Sequence, residues 1–325
     1  MKSSVIPIFI PHLGCPNDCV FCNQHRIACD KEPDVSEVRD IIEKGLEYSS
    51  RPQICFYGGS FTAIDRGLML GYLEAAYPYV RDGRCDSIRL STRPDAIDRE
   101  ILDILSRYGV KTIELGAQSM SDRVLMLSGR GHTAEDTEKA SRLIKNAGFE
   151  LILQMMVGLP GSAEDDEYAT ARELCRLSPD GVRIYPTCVI ADTPLYDMYL
   201  NGRYKALSVE EAVDICAGLA DIFEQAGVTI VRLGLNPTDE LSSGGVKAGA
   251  YHPALGEMVY SRRFYNRMAG FVPRDKAFEI IVPPRMLSVA IGQKKCNLTR
   301  FRALGPLEAI RADKDCTEPY IKIIE

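Results

Sequence analysis

The chain has 325 residues, of which 46% are apolar and 26% charged, and its formal net charge is −6. This composition is that of an ordinary globular chain, and it dilutes the 11 cysteines below the content of a disulfide scaffold. No apolar run approaches the roughly 18–20 residues that span a bilayer, and the apolar N-terminal stretch is too short for a signal peptide. The sequence therefore predicts a cytoplasmic protein without a membrane segment.

Strand-like and helix-like segments alternate from residue 5 to about residue 187. The predicted strands are apolar and rich in β-branched residues, as expected of strands buried on both faces. They cover residues 5–10, 53–59, 87–92, 112–119, 151–158 and 182–187. Six βα units imply a parallel sheet with right-handed crossovers, and six units favour an open (β/α)6 half of a TIM-like barrel over a closed one. The chemistry of such folds lies at the C-terminal ends of the strands.

The pattern changes after residue 187. A long amphipathic helix over 208–227 precedes a strand-like stretch, a Gly-rich connection and a short tail of mixed character. We therefore predict a core over residues 1–205 and a small C-terminal α+β extension over residues 206–325.

Three cysteines follow the first strand with the spacing C-x3-C-x2-C: Cys15, Cys19 and Cys22. Together with His25 they could hold zinc, which takes four ligands. The three thiolates alone suit a [4Fe–4S] cluster whose fourth iron stays open. The spacing leaves both interpretations open. The remaining cysteines are isolated and are expected to be reduced thiols.

Small and polar residues mark the ends of the next strands. Gly58, Gly59 and Ser60 follow the second strand, where they either contact a ligand or form a tight turn. Arg93 follows the third strand, and it could bind a carboxylate or pair with Asp95 or Asp98. Gln118 ends the fourth strand and Gln154 interrupts the fifth, where each needs a polar partner in a ligand or in the sheet.

The loop containing Arg130 and His132 also lies at this edge. Both side chains could face a substrate, although His132 could instead cap the helix that begins near Thr133. Tyr185, at the end of the sixth strand, could line a pocket or simply pack.

Positive charge is concentrated near the C-terminus. Residues 258–302 hold ten Lys and Arg against two Asp and Glu, and aromatic residues alternate with the first of them. Charge combined with stacking surfaces is typical of RNA-binding segments. The alternative is a solvated basic face that balances an acidic barrel.

Together these motifs resemble a known family. C-x3-C-x-aromatic-C after the first strand, with Phe21 before the third cysteine, is the signature of the radical SAM superfamily. "FYGGSFTAID", "LSTRPDAID", "GRGHT" and "MMVGLPG" are similar to the radical SAM half of the Elongator catalytic subunit, and the resemblance covers most of residues 5–260. The residues after 260 leave no room for that subunit's acetyltransferase domain. We therefore expect its acetyl-CoA chemistry not to carry over.

The resemblance implies cofactors and roles. Cys15, Cys19 and Cys22 would hold a [4Fe–4S] cluster, and a ring of residues near it would bind S-adenosylmethionine: Phe21, Gly58, Gly59, Ser60, Arg93, Gln118 and Gln154. Within that set the Gly-Gly-Ser turn would receive the methionine amine, although the family commonly has Glu where this chain has Ser60. Arg93 would pair with the methionine carboxylate and Gln154 with the ribose hydroxyls. The resemblance assigns no catalytic side chain.

The resemblance also implies partners. Electrons would come from a flavodoxin- or ferredoxin-type reductant, and tRNA is the favoured substrate because the Elongator family modifies tRNA wobble uridines. Two alternatives stay open, namely a zinc-stabilised RNA-binding or regulatory protein, and a radical SAM enzyme acting on a peptide or small metabolite. The sequence does not fix the oligomeric state.

Overall fold

The computed structural model describes residues 4–10, 15, 18–22, 33–236 and 244–324. Its main sheet has seven strands, which lie side by side in chain order and are all parallel. They are β1 Val5–Ile10, β2 Gln53–Gly58, β3 Ser87–Thr92, β4 Val110–Gln118, β5 Glu150–Val157, β6 Gly181–Pro186 and β8 Thr229–Leu233. The six predicted strands are confirmed within two residues at each end.

Eight α-helices accompany this sheet in the described chain. They are α1 Val35–Leu46, α2 Arg66–Arg81, α3 Arg99–Arg107, α4 Asp122–Leu127, α5 Ala134–Asn146, α6 Glu164–Arg176, α7 Pro194–Leu200 and α8 Val209–Gln225. Two of these helices begin at a polar capping residue, since Asp98 accepts a hydrogen bond from the Ile101 N–H at 2.8 Å and Thr133 caps α5. Short polar side chains satisfy the free N–H groups of a first helical turn, which explains where these helices begin.

The two faces of the sheet differ in chemistry. On the helix side Ile54, Phe56 and Leu90 are fully buried in a continuous core that also takes in the helices. The alternate residues of the same strands, such as Cys55 and Arg89, point to the concave side. The predicted burial on both faces is observed for β2 and β3, and several of the buried side chains on the concave face are polar.

The prediction of an α/β half-barrel is confirmed, with one additional strand. The strand-like stretch after the long helix becomes β8, and it pairs with β6 as the edge strand opposite β1. The sheet is open in the described chain because β1 and β8 are its two ends.

The C-terminal part contains a second, smaller core. Its elements are β9 Val246–Gly249, which pairs with β7 Cys188–Ile190, then α9 Leu255–Ala269, β10 Phe278–Val282, α10 Leu287–Ile291, α11 Cys296–Leu304, β11 Leu307–Ala312 and β12 Tyr320–Ile323. Strand β10 lies between β11 and β12 and packs its buried face on α9 and α11. This confirms a small α+β extension.

Helix α9 connects the two cores. Leu255 and Val259, near its start, belong to the main core, whereas Phe264 and Met268 belong to the smaller one. Helix α8 and strand β8 also belong to the main layers. The division of the chain at residue 205 stays a proposal.

A search of the described helices finds none long and apolar enough to cross a membrane.

Candidate active site

The cysteine loop is fastened over the C-terminal edge of the sheet. The Val20 N–H donates to the Ser128 carbonyl at 3.1 Å, and the Leu195 N–H donates to the Val20 carbonyl at 2.8 Å. Phe21 packs with the apolar cluster around Val189 and Leu195. These contacts tie the loop to the end of α4 and the start of α7.

The three predicted ligands lie on this loop as cysteines outside any disulfide. Cys19 is buried, whereas Cys15 and Cys22 are half-buried. The Cys22 N–H donates to the Cys19 carbonyl at 3.0 Å, which forms a tight turn between them. Among the described residues, no group of three His, Cys, Asp or Glu side chains is placed to hold a metal ion. The three thiols therefore share a loop without surrounding a common point. His25 lies outside the described residues.

Cys15 faces the turn that follows β2. Burial raises the pKa of the Cys15 thiol, and the nearby Cys19 thiol raises it further. The guanidinium groups of Arg130 and Arg93 and a hydrogen bond from the Ser60 N–H act in the opposite direction. The cysteine loop and the Gly-Gly-Ser turn therefore meet, as the parallel sheet predicts.

The Gly-Gly-Ser turn is held by its backbone and by the Ser60 hydroxyl. Gly58 has φ +110°, and a Cβ there would lie 3.1 Å from the Ile10 carbonyl oxygen. The Gly59 N–H donates to that same oxygen at 2.8 Å. The Ser60 hydroxyl is 2.9 Å from that of Thr92. Glycine is required at the first position by the left-handed backbone and the close approach of β1.

Arg93 forms an ion pair with Asp95, one of the two alternative partners that the sequence indicates. Its Nε and Nη2 donate to the two carboxylate oxygens of Asp95, at 2.9 and 2.8 Å. The residue is 3% exposed, and its Nη1 has no hydrogen-bond partner in the described structure. Asp95 thus orients the guanidinium and leaves one buried donor for another group.

The two glutamines differ in their settings. Gln118 lies at a bulge at the end of β4 with φ +65°, and it is buried. Its Oε1 has no partner among the described residues. Gln154 lies half-buried on the concave face, opposite Arg183 of β6 in the sheet register. Neither glutamine contacts the cysteine loop in the hydrogen bonds of the described structure.

Arg130 was not among the residues predicted to bind a cofactor. Its Nη1 donates to the Cys19 Sγ at 3.3 Å, and its Nη2 donates to the Gly116 carbonyl at 2.7 Å. Gly116 leaves room for it, because a Cβ there would lie 3.2 Å from Nη2. The position of Arg130 at a strand-end loop was visible in the sequence, but its direction toward the cysteines depends on the folding of that loop.

His132 is buried beside Arg130 and does not cap α5, because Thr133 does so itself. Burial and the Arg130 charge lower the pKa of His132 to about 4, so the imidazole is neutral at pH 7. Its Nε2 lies 3.2 Å from the Ala117 carbonyl oxygen. Since a carbonyl accepts, Nε2 carries the proton and Nδ1 is an acceptor, which has no partner in the described structure.

Four of the buried polar atoms that lack a partner in the described structure lie at this edge. An unsatisfied buried donor or acceptor costs about 1–3 kcal/mol. The atoms are Arg93 Nη1, Gln118 Oε1, His132 Nδ1 and Thr187 Oγ1. The set contains both hydrogen-bond donors and acceptors, which suits a ligand with carboxylate, ammonium and hydroxyl groups. The three thiols nearby suit an iron–sulfur cluster. The residues present fit S-adenosylmethionine and the cluster.

The basic segment is partly used inside the protein. Arg262, Arg263, Arg267 and Arg300 form ion pairs with acidic side chains of α8. The other six cations of residues 258–302 are exposed and have no ion pair within the described ranges. They are Arg274, Lys276, Arg285, Lys294, Lys295 and Arg302. Four of the ten positive charges of residues 258–302 thus bind the C-terminal extension to helix α8 of the barrel.

An open parallel half-barrel with a three-cysteine loop at its C-terminal edge is the arrangement expected of an enzyme that carries a metal or iron–sulfur centre at that edge. The chain belongs to the radical SAM superfamily: the model of that family matches residues 9–174, and the model of the Radical_SAM C-terminal domain matches residues 179–264. The chain is therefore an enzyme of the radical SAM type.

Curated relatives place it near Elongator. It is 33% identical over 239 residues to a tRNA uridine(34) acetyltransferase of Methanocaldococcus jannaschii, which covers 67% of this chain and 43% of the relative. It is 36% identical over 138 residues to human Elongator complex protein 3, which covers 41% of this chain and 25% of the relative. The chain thus spans less than half of the length of either relative.

Solved structures share the fold. The archaeal Methanocaldococcus infernus Elp3 with an N-terminal deletion aligns with a TM-score of 0.66 and 24% identity, over 84% of this chain and 66% of that one. Coproporphyrinogen III oxidase from Escherichia coli, a radical SAM enzyme, aligns with a TM-score of 0.50 and 19% identity, over 69% and 52%. The predicted resemblance to the radical SAM half of the Elongator catalytic subunit is confirmed.

Proposed function

We propose that this chain holds a [4Fe–4S] cluster on Cys15, Cys19 and Cys22, binds S-adenosylmethionine beside it, and acts on tRNA. The observation that carries the proposal is the meeting of the cysteine loop with the Gly-Gly-Ser turn, where the Cys15 thiol faces the Ser60 N–H. Given one electron from a reductant, the bound cluster and S-adenosylmethionine would supply a 5′-deoxyadenosyl radical for hydrogen abstraction from the substrate. The protein supplies binding, orientation and exclusion of water.

The methionine end of the ligand has suitable groups in this chain. Because the Ser60 hydroxyl is committed to Thr92, the turn offers backbone atoms to the amine in place of the usual Glu. Two buried cations, Arg93 and Arg130, face the cysteine loop and suit the carboxylate. Asp95 holds the first of them, so its remaining donor is pre-oriented.

The nucleoside end would lie farther along the edge. Gln118 and Gln154 are the proposed partners of the ribose hydroxyls, and the free Oε1 of Gln118 supports the assignment of the first. Phe21 packs against the neighbouring apolar cluster, so its proposed role is to hold the cysteine loop beside the ligand.

The proposal of tRNA as substrate is supported by the relatives, one of which is a tRNA uridine(34) acetyltransferase. The six exposed cations outside the ion pairs with α8 provide a surface for phosphates. A flavodoxin- or ferredoxin-type protein is the proposed reductant and the cytoplasm the proposed location.

The test compares the modified nucleosides of tRNA from a strain that lacks the gene with those of the parent strain. Loss of a modification at uridine, restored by the wild-type gene and not by a Cys19→Ser variant, supports the proposal. An unchanged nucleoside profile together with iron-dependent cleavage of S-adenosylmethionine in vitro would favour a peptide or metabolite substrate. Stoichiometric zinc in place of iron would favour the zinc-stabilised alternative.

A further inference from the structure

The concave face of the half-barrel holds a group of buried charges to which the proposed cofactor site assigns no role. Arg89 of β3, Glu114 of β4 and Arg183 of β6 point into it, and Glu114 is 2% exposed. Arg89 lies three residues before the end of β3, which is about 10 Å below the edge that carries the cysteine loop. This face is therefore the floor of the space beneath the proposed radical-generating centre.

The charges of this group do not balance. One Glu114 oxygen accepts a short hydrogen bond from the Arg89 Nε and another from the Arg183 Nη2 at 3.0 Å. The other Glu114 oxygen lies 2.8 Å from the Arg183 Nε. Among the described residues, two guanidinium groups thus share a single carboxylate, which leaves one positive charge without an ion-pair partner in a largely buried setting. An uncompensated buried charge is costly, so such an arrangement is expected where a ligand completes it.

A second observation points to a ligand. Arg89 is 9% exposed, and its Nη2 has no hydrogen-bond partner in the described structure. Its Nε is already bound to Glu114, so the free Nη2 is a donor held in a fixed direction. A guanidinium group oriented in this way is suited to a planar or tetrahedral oxyanion.

The surrounding hydroxyls add donors and no negative charge. The Tyr57 hydroxyl lies 3.4 Å from the Arg183 Nη2 and the Tyr185 hydroxyl 3.2 Å from the Arg183 Nη1. Burial raises the pKa of both phenols, so each keeps its proton. Burial also raises the pKa of the adjacent Cys55 thiol to about 11. The floor is therefore rich in donors.

We infer that this floor binds an oxyanion, a carboxylate or phosphate group of the substrate, on the guanidinium groups of Arg89 and Arg183 and the Tyr57 hydroxyl. The inference rests on the proposed function only where it assigns the oxyanion to the substrate, because binding itself requires neither the cluster nor S-adenosylmethionine. Such a group would anchor one end of the substrate below the centre that abstracts hydrogen.

The test is calorimetric titration of the full-length, anaerobically reconstituted protein with inorganic phosphate and, separately, with acetate at constant ionic strength. Saturable binding of at least one probe is expected. Arg89→Met should weaken that binding about tenfold or more, since it removes a charge-assisted donor. Glu114→Gln should strengthen it, because it removes the competing carboxylate. A residue with a purely structural role would not give opposite effects in these two variants.

The matched control is Arg142→Met, which removes an exposed arginine paired with Glu138 on α5 and should leave binding unchanged. A preference for phosphate would indicate a nucleotide or nucleic-acid group, and a preference for acetate a carboxylate. Absence of saturable binding by both probes, or equal binding by wild type and Arg89→Met, would overturn the inference. If Glu114→Gln does not fold, the comparison of probe binding by wild type and Arg89→Met is by itself sufficient to test the inference. Iron content and 5′-deoxyadenosine release measured on the same samples report separately on the proposed function.

Discussion

The Arg183 Nη2 lies 3.4 Å from the Tyr57 hydroxyl, although the two residues belong to strands β6 and β2, which are four positions apart in the sheet. Neighbouring strands are about 4.8 Å apart, so a flat sheet would separate these strands by about 19 Å. The contact is possible because the sheet curls around its concave face. That curvature directs the strand ends toward one another. It also brings the cysteine loop that follows β1 to the same edge of the sheet as Arg130 and Gln118.

The turn after β2 is predicted to tolerate no side chain at its first glycine. Gly58→Ala places a Cβ against the Ile10 carbonyl in a left-handed backbone region, and we expect it to lower the free energy of unfolding by about 1–3 kcal/mol. Gly83→Ala is the control, because Gly83 also has positive φ but nothing lies within 4 Å of its Cβ position. Chemical denaturation of both variants measures the difference. Equal decreases in the free energy of unfolding of the two variants would show that the close approach to Ile10 does not contribute to the effect.

The buried carboxyl of Glu167 is predicted to make stability depend on pH. One of its oxygens accepts from the Gly158 N–H at 2.8 Å and from the Ser162 hydroxyl at 2.7 Å. Burial raises the pKa of Glu167 to about 7, which outweighs these hydrogen bonds. The folded state thus binds a proton more tightly than the unfolded state, so the contribution of Glu167 to stability is fully present below about pH 4.5 and is lost as the pH rises through 7.

Glu167→Gln removes this titration and keeps an oxygen acceptor. The stability of the wild type relative to this variant should therefore fall between pH 5 and pH 8, by at most about 3 kcal/mol. Asp165→Asn, which changes an exposed carboxyl of the same helix, is the control. Urea denaturation at a series of pH values makes the comparison, and an identical pH dependence in all three proteins would contradict the assignment.

We predict that some positive charges of the basic segment stabilise the fold and that others bind RNA. Arg263 is 4% exposed and pairs with Asp221 at 2.7 Å and with Glu224, so Arg263→Met should destabilise the protein by about 2 kcal/mol. Lys294 and Lys295 are exposed and should be dispensable for stability. Their joint replacement by Gln should weaken tRNA binding and lower its salt dependence, by about 0.7 in the log–log slope for each phosphate that the variant no longer binds.

Filter binding at several salt concentrations and thermal unfolding measure these two effects. Lys139→Gln, on an outer helix of the barrel, is the control for a general decrease in positive charge. If the Lys294 and Lys295 double variant binds tRNA with the wild-type salt dependence, this surface does not contact phosphates.

Arg130 is predicted to position the cysteine loop and the methionine end of S-adenosylmethionine. Arg130→Lys keeps the charge but replaces the two guanidinium nitrogens that bind Cys19 and Gly116 by a single ammonium nitrogen without their fixed geometry, so the rate of 5′-deoxyadenosine formation should fall about tenfold or more. Iron content should stay at the wild-type level, because the three cysteines remain. Arg123→Lys is the control, since Arg123 also contacts a carbonyl and a carboxylate but lies exposed on α4. Equal rates in both variants would remove Arg130 from the site.

Much of the fold and part of the site follow from local sequence patterns. The strands and the long helix α8 are predictable because apolar periodicity acts over a few residues. The pair Arg93–Asp95 was foreseen as an alternative for the same reason. The contacts Ser60–Thr92 and Arg130–Cys19 could not be foreseen, because they depend on how loops at different strand ends meet.

The charges of the concave face were missed for a related reason. Arg89 and Glu114 each interrupt an otherwise apolar strand, as Gln154 does. Their pairing with Arg183 depends on the curl of the sheet, and the pattern of one strand carries no information on that curvature. The ion pairs of Arg263 likewise depend on the packing of α9 on α8, which neither helix sequence indicates by itself.

The most direct test of the proposed chemistry is the release of 5′-deoxyadenosine by the full-length protein after anaerobic reconstitution, with dithionite and S-adenosylmethionine. Wild type should hold about four irons per chain and release the nucleoside. Cys22→Ser should lose both properties, whereas Cys175→Ser, which changes a half-buried thiol on α6, should keep them. A colourless wild-type protein with stoichiometric zinc and no 5′-deoxyadenosine would contradict the account.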